Sequence, residues 1–312
     1  MILSWACSAA GADVNELLEE ELQVSQHAAD RYPNNYHAWS HRMWCVSHLA
    51  ASSSEHLLKE WVTSETWIES HVSDHSGMQY RQFLLSKLLE LKHPVVEGIV
   101  EKAKKSLQQL FSAYAGSQFP SIRTEYCDEV MKSIPLVTAE LLFNMDLILR
   151  FAGHEALWCH RRYLLTLFKK ILNYRGFDVN GTRINRFNKV PFNKQCDKVS
   201  LPLPMDCFVE DSEENKTYNE SSSSQNGSSS IHKNMYGVPS ENDQMMCSEE
   251  VGSLDKDERE IYSYLHKAVM WQEVKLINSC RPDELHQQRL ARQHHKWLLH
   301  VLKVDLPAAI PL

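Results

Sequence analysis

The chain has 312 residues, 43% of them hydrophobic, and a formal net charge of −7. That mildly acidic balance supplies no basic stripe for a phosphate backbone, which argues against a nucleic-acid partner. No apolar run approaches the ~20 residues that span a bilayer, and Met1 to Cys7 lack the basic flank of a signal peptide, so a cytoplasmic location is expected.

In chain order, Asp13-Val14-Asn15-Glu16 reads as a capping box, and the apolar positions from Val14 to Tyr32 recur at helical spacing. Pro33 ends that helix by removing a donor. Asn35 is placed to cap the next one, in which Tyr36, Trp39, Met43, Val46 and Ala50 share a face expected to be buried. Ser52-Ser53-Ser54 breaks the chain before a second pair of helices. In that pair Leu57, Leu58, Trp61 and Ile68 mark the first arm, and Asp74 caps a return arm running to about Leu91. A helix over Val95–Tyr114 follows with Gly116 as its stop, then an irregular stretch between Pro120 and Pro135. A first arm is read from Leu136 to Arg150, ending at Gly153, and a return arm from His154 to about Leu172.

Alignment on one arginine shows that these pairs are copies. Arg42, Arg81 and Arg161 each follow a ring-bearing residue and precede an aromatic two places on: His41 and Trp44, Tyr80 and Phe83, His160 and Tyr163. His294-His295-Lys296-Trp297 keeps the aromatic and loses the arginine. A period of about 35–45 residues is one helical hairpin of a stacked repeat protein. The predicted fold is therefore all-α: an α-solenoid of stacked helical hairpins. It divides into repeats over 1–175, a serine-rich and acidic insert over 176–254 expected to be disordered, and a C-terminal hairpin over 255–312 that completes the solenoid.

The residues that could carry chemistry are few. His37 and His41 stand four apart, a spacing able to hold a metal, yet the glutamate and third ligand of a zincin are absent. The eight cysteines include no C-x-x-C pair and read as reduced thiols. The repeated arginines are read as structural, satisfying carbonyls at the end of a neighbouring arm or pairing with its carboxylates. The tryptophans are read as filler between layers.

Asn35-Tyr36-x-x-Trp39-x-x-Arg42 resembles the repeat of the protein prenyltransferase α-subunit family, Asn-Tyr-x-x-Trp-x-x-Arg. Trp158-x-x-Arg161 meets half of it, and the copies around Arg81 and Trp297 follow by position. The resemblance implies a crescent of hairpins wrapped around a β subunit that holds the catalytic zinc and the isoprenoid pocket, so this chain would bind no metal or cofactor itself. It also implies that His37, beside Tyr36, contacts the isoprenoid diphosphate at the subunit interface. The reaction implied is transfer of an isoprenoid, geranylgeranyl by preference, to a cysteine near the C terminus of an acceptor protein. The family's lysine ahead of an earlier Asn-Tyr pair has no counterpart, since Asn34 holds the analogous place. The first motif arrives within thirty-five residues, with no polar capping hairpin ahead of it. An N-terminally truncated or alternatively started product is expected, with an apolar face of its first hairpin left open. The alternative is a helical-repeat scaffold that binds proteins without supporting transfer.

Overall fold

A computed structural model of the chain describes residues 14–115, 128–174, 256–304 and 306. Asp13, Gly116, Pro120 and the whole of 176–254, with the expectations attached to them, lie outside the described residues. The helices are α1 (Val14–Arg31), α2 (Tyr36–Ser52), α3 (Ser54–Ser70), α4 (His75–Glu90) and α5 (His93–Ala115). They continue with α6 (Asp128–Arg150), α7 (Glu155–Tyr174), α8 (Lys256–Asn278) and α9 (Leu285–Trp297), which runs on into one π-helical turn at Leu298–Leu302. Among the described residues there is no strand.

Local chemistry sets the boundaries. Asn35 Oδ1 accepts from Ala38 N at 3.2 Å and Asp74 Oδ1 from Gly77 N at 2.7 Å, each satisfying an orphan amide of a first turn. Ser53 alone separates α2 from α3. It is extended, its own N–H closing α2 on Leu49 O while its hydroxyl accepts from Glu55 N. Gly153, at φ +85°, supplies the left-handed residue that ends the α6 segment.

The helices stack as hairpins in two layers. The return arms α2, α4, α7 and α9 pack side by side in sequence order, and each also packs on its own first arm: α1, α3, α6 and α8. The core runs between the layers through Leu49, Leu57, Leu85, Leu141, Trp158, Leu165, Val269 and Leu290. The chain keeps its repeat register past the irregular slot because α5 does not join the return layer. It packs instead on α6 and α8.

Two sequence expectations are corrected here. α6 starts at Asp128 and passes through Pro135 without a break, so that proline is interior rather than a boundary. Its missing N–H removes one backbone bond. Burial of Ile134, Leu136 and Val137 and the donation of Lys132 Nζ to Leu89 O and Leu91 O, at 2.7 and 2.6 Å, offset the loss. Tyr36 shares a helical face with Trp39 and Val46, which are buried, yet is itself 58% exposed. It is the first residue of α2.

Candidate functional site

Two arrangements are built by the repeat: a buried relay between the layers, and an exposed edge where the return arms begin.

The relay is carried by the aligned arginines. Arg42 places Nε and Nη2 on the two carboxylate oxygens of Glu60 in the next hairpin's first arm, both at 2.9 Å. Arg81 does the same to Glu140 at 2.7 and 2.8 Å, and Arg161 to Glu273 at 2.9 and 2.5 Å. Each arginine's Nη1 turns back to a carbonyl of its own hairpin's first arm: Leu22 O, Trp61 O and Leu141 O, every one 20 residues earlier. The structural role read from the sequence is thus present, with one difference. The carbonyls lie in the middle of the arms rather than at their ends. There Ser25, Ser64 and Asn144, each 17 residues before its arginine, complete the shell.

The ring residue in the following hairpin's return arm closes the other side of each of these glutamates. Tyr80 donates to Glu60, and His160 and His294 donate through Nε2 to Glu140 and Glu273 at 3.0 and 2.9 Å. Each ring also stacks on the aromatic three residues on. The pairs are His41–Trp44, Tyr80–Phe83, His160–Tyr163 and His294–Trp297, with centroids 5.9 to 6.3 Å apart. The fourth copy therefore keeps the geometry of the others although His295 sits in its arginine slot.

Burial alone would push the Glu140 and Glu273 carboxyls up. The guanidinium charge and the hydrogen bonds from arginine and histidine reverse this and hold both at about 2. Burial lowers His294 against the pull of Glu273, leaving a neutral ring that donates from Nε2, its Nδ1 without a partner among the described residues. The forks are spent on structure: Arg81 and Arg161 are 1% and 0% exposed. The sequence signal missed here was the carboxylate 20 or 21 residues before each ring residue.

The edge presents the start of every return arm. Asn34, left-handed at φ +56°, receives Asp74 Oδ2 on its N–H at 2.6 Å and offers Oδ1 to His75 N at 2.8 Å, lacing the α2 and α4 starts together. Ser73 Oγ meets His154 Nδ1 at 2.6 Å, and Gly153 N donates to Gln287 Oε1 at 2.8 Å, joining α7 and α9 to the row. Tyr36 and His37 stand on this edge in the first turn of α2. Both are exposed, with their rings 5.8 Å apart at 70° and neither ring hydrogen-bonded among the described residues. His37 and His41, four apart in sequence, do not converge: His41 is turned onto Glu21 at 2.8 Å while His37 is exposed. Among the described residues no group of three or more His, Cys, Asp or Glu side chains is placed to hold a metal ion. Trp39 and Trp158 are buried filler as expected, and Trp297 is half-buried on His294. Cys45 and Cys280 are free thiols that burial raises to about 11, which disfavours the thiolate near neutral pH.

The family model described as the protein prenyltransferase alpha subunit repeat matches residues 18–49, 57–88 and 137–168. Those three segments are the first three relay hairpins. Among curated proteins, the human protein prenyltransferase alpha subunit repeat-containing protein 1 is 40% identical over 152 residues, which are 48% of this chain and 37% of the relative. The Xenopus laevis protein 1-A is 34% identical over 53% of this chain and 38% of its own length. The Danio rerio protein is 31% identical over 62% and 45%. The matched chain spans less than half the length of each of these relatives.

Proposed function

We propose that this chain, which belongs to the protein prenyltransferase α-subunit repeat family, is the subunit without zinc of a heterodimeric protein prenyltransferase. Its β partner would supply the isoprenoid pocket and the zinc, which makes the acceptor cysteine a better nucleophile by favouring its thiolate. The chain would work in the cytoplasm, in keeping with its free thiols and with described helices none of which is long and apolar enough to cross a membrane.

The observation that supports this reading is the open pair Tyr36–His37 at the start of α2. In the transfer, a C–S bond forms from the acceptor thiolate to C1 of the isoprenoid as the C1–O bond breaks, and the diphosphate leaves with the electron pair. Charge grows on that leaving group. A hydrogen-bond donor at His37, backed by Tyr36 and by the positive end of the α2 dipole, stabilises it where it develops. Geranylgeranyl is the isoprenoid proposed, and the acceptor is a protein with a cysteine near its C terminus.

A helical scaffold is the second reading. What favours it is that α2 alone pairs Tyr with His; the other return arms open with His75-Ser76, Glu155-Ala156 and Leu285-His286. Co-purification with candidate β subunits, followed by transfer of labelled isoprenoid, separates the two. The enzyme reading expects a complex whose transfer rate falls at least tenfold in His37→Ala with assembly unchanged. Failure to bind any β subunit, or a complex that transfers nothing, supports the scaffold.

A further inference from the structure

α9 is the return arm that lacks the repeat arginine, and its outward face differs in kind from the others. At the position two before the ring residue, Trp39, Met78 and Trp158 are buried. The fourth copy carries Arg292 there, and it is exposed. Gln287, Leu290, Ala291 and His294 form the buried face of the helix. Arg289, Arg292 and Lys296 stand three and four residues apart on the opposite side, all exposed. No acidic residue occurs between Glu284 and Asp305.

These three cations meet no carboxylate among the described residues. Arg289 Nη2 lies 3.4 Å from His286 Nδ1, and Arg292 Nη2 donates to Gln288 Oε1 at 3.5 Å, both contacts within α9. Each guanidinium keeps most of its donors free. On other helices exposed cations reach an acid one turn away, as in Lys87–Glu90, Lys104–Glu101 and Arg150–Asp146. A face that only had to stay in water would mix the two signs, the more so in a chain with 40 acids to 33 bases. With Arg292 in a tryptophan's place, the face does not offer the apolar surface on which another hairpin would stack.

We infer that this face of α9 docks an acidic segment of a partner protein, with Arg289 and Arg292 each taking a carboxylate through a guanidinium fork and Lys296 adding a further charge. From Arg289 to Lys296 the helix rises about 10 Å, the reach of roughly three residues of extended chain. A short acidic run is enough to cover it. A stripe of this length touches too few phosphates to hold a nucleic acid, whose binders make about 6–10 such contacts. The net charge of −7 opposes approach to an anionic membrane, whereas a short peptide feels mainly the cations within a Debye length of it. The inference concerns α9 alone and holds whether or not the α2 edge serves isoprenoid transfer.

The probe is a dye-labelled peptide of about eight glutamates, a block of the length that acidic interaction tails carry, titrated with the full chain and read by fluorescence anisotropy. It should bind at low salt and be released towards about 1 M, where the Debye length is about 3 Å. Arg289→Gln, Arg292→Gln and Lys296→Gln together should weaken binding about tenfold or more. Lys92→Gln, Lys102→Gln and Lys105→Gln together remove the same charge from other exposed positions and should weaken it by less than about twofold. Absence of peptide binding, an equal loss in the two triple variants, or tighter binding of an oligonucleotide of equal charge or of phosphatidylserine vesicles would each overturn the inference.

Discussion

Arg161 grips Glu273 fork on fork, Nη2 to Oε1 at 2.5 Å and Nε to Oε2 at 2.9 Å, with both side chains fully buried. The pair ties α7 to α8 across 112 residues of sequence, and His294 of α9 fixes the same carboxylate from the other side. Removing one partner leaves a bare charge in the core, a loss of about 3–5 kcal/mol. Arg161→Met should therefore lower stability by that order in a urea titration. Arg161→Met combined with Glu273→Leu should recover much of it, since two apolar residues leave no charge to solvate. A double variant as unstable as the sum of the single ones would show that the pair is not acting as a pair.

The same carboxylates set the response to acid. Glu140 and Glu273 are held at about 2 against an ordinary 4.5, so the unfolded chain takes up their protons first. Their contribution is present above pH 4.5 and is lost as pH falls from 4.5 towards 2. His294 acts earlier: burial depresses its pKa below 6.5, so its neutral folded form begins to lose ground once pH drops below that value. Urea midpoints should decline gently from pH 6.5 and steeply below 4.5, the steep part reporting uptake of about two protons. Glu140→Gln should start less stable but lose less between pH 4.5 and 2 than the natural chain does. An unchanged slope in that variant would assign the acid loss to other groups.

The fold was legible because its signals are local. Caps at Asn35 and Asp74, the glycine at Gly153 and the 3.6-residue periodicity each act within a turn or two of the chain. The relay was half legible. Arg42, Arg81 and Arg161 announce themselves by aromatic neighbours, whereas their acceptors Glu60, Glu140 and Glu273 sit among many surface glutamates at intervals of 18, 59 and 112 residues. Only folding brings those intervals to one distance. Pro135 misled for the opposite reason. Its cost is local and visible, while the burial of α6 and the reach of Lys132 that outweigh it are tertiary.

Asn34 and Asp74 show how the edge is kept in order. Asp74 caps α4 through Oδ1 and holds the Asn34 amide through Oδ2, and Asn34 returns a bond to His75 N. Asp74→Ala should cost about 1–2 kcal/mol, the upper part of the range for a lost cap, because a second bond goes with it. Asn34→Gly keeps the left-handed backbone but removes the acceptor for His75 N, so it should cost less than Asn34→Val, which strains φ as well. Denaturant titration of the three variants gives the order. Equal losses for the glycine and valine changes would mean that backbone strain at this position is negligible.

Gly77 carries the sharpest packing prediction, because helix propensity and packing pull in opposite directions. It lies in the first turns of α4, where alanine is favoured over glycine by about 1 kcal/mol. A Cβ at this position, however, would fall 2.2 Å from Trp67 Cζ3 and 3.0 Å from Cη2. The indole borders an open cleft, but its present place is fixed by three contacts that a retreat would disturb. Its Nε1 donates to Asp30 Oδ1 at 2.7 Å, His71 stacks on it at 4.0 Å and Trp39 abuts it edge-on at 4.6 Å. Overpacking of this kind costs about 1–3 kcal/mol and should win, so Gly77→Ala is expected to destabilise. In a Trp67→Leu chain the obstruction is gone and only the helix preference remains, so the same Gly77→Ala change should turn stabilising. A change of sign between the two backgrounds is the measurement to make, since a mere difference in size could come from loss of the tryptophan elsewhere in the layer.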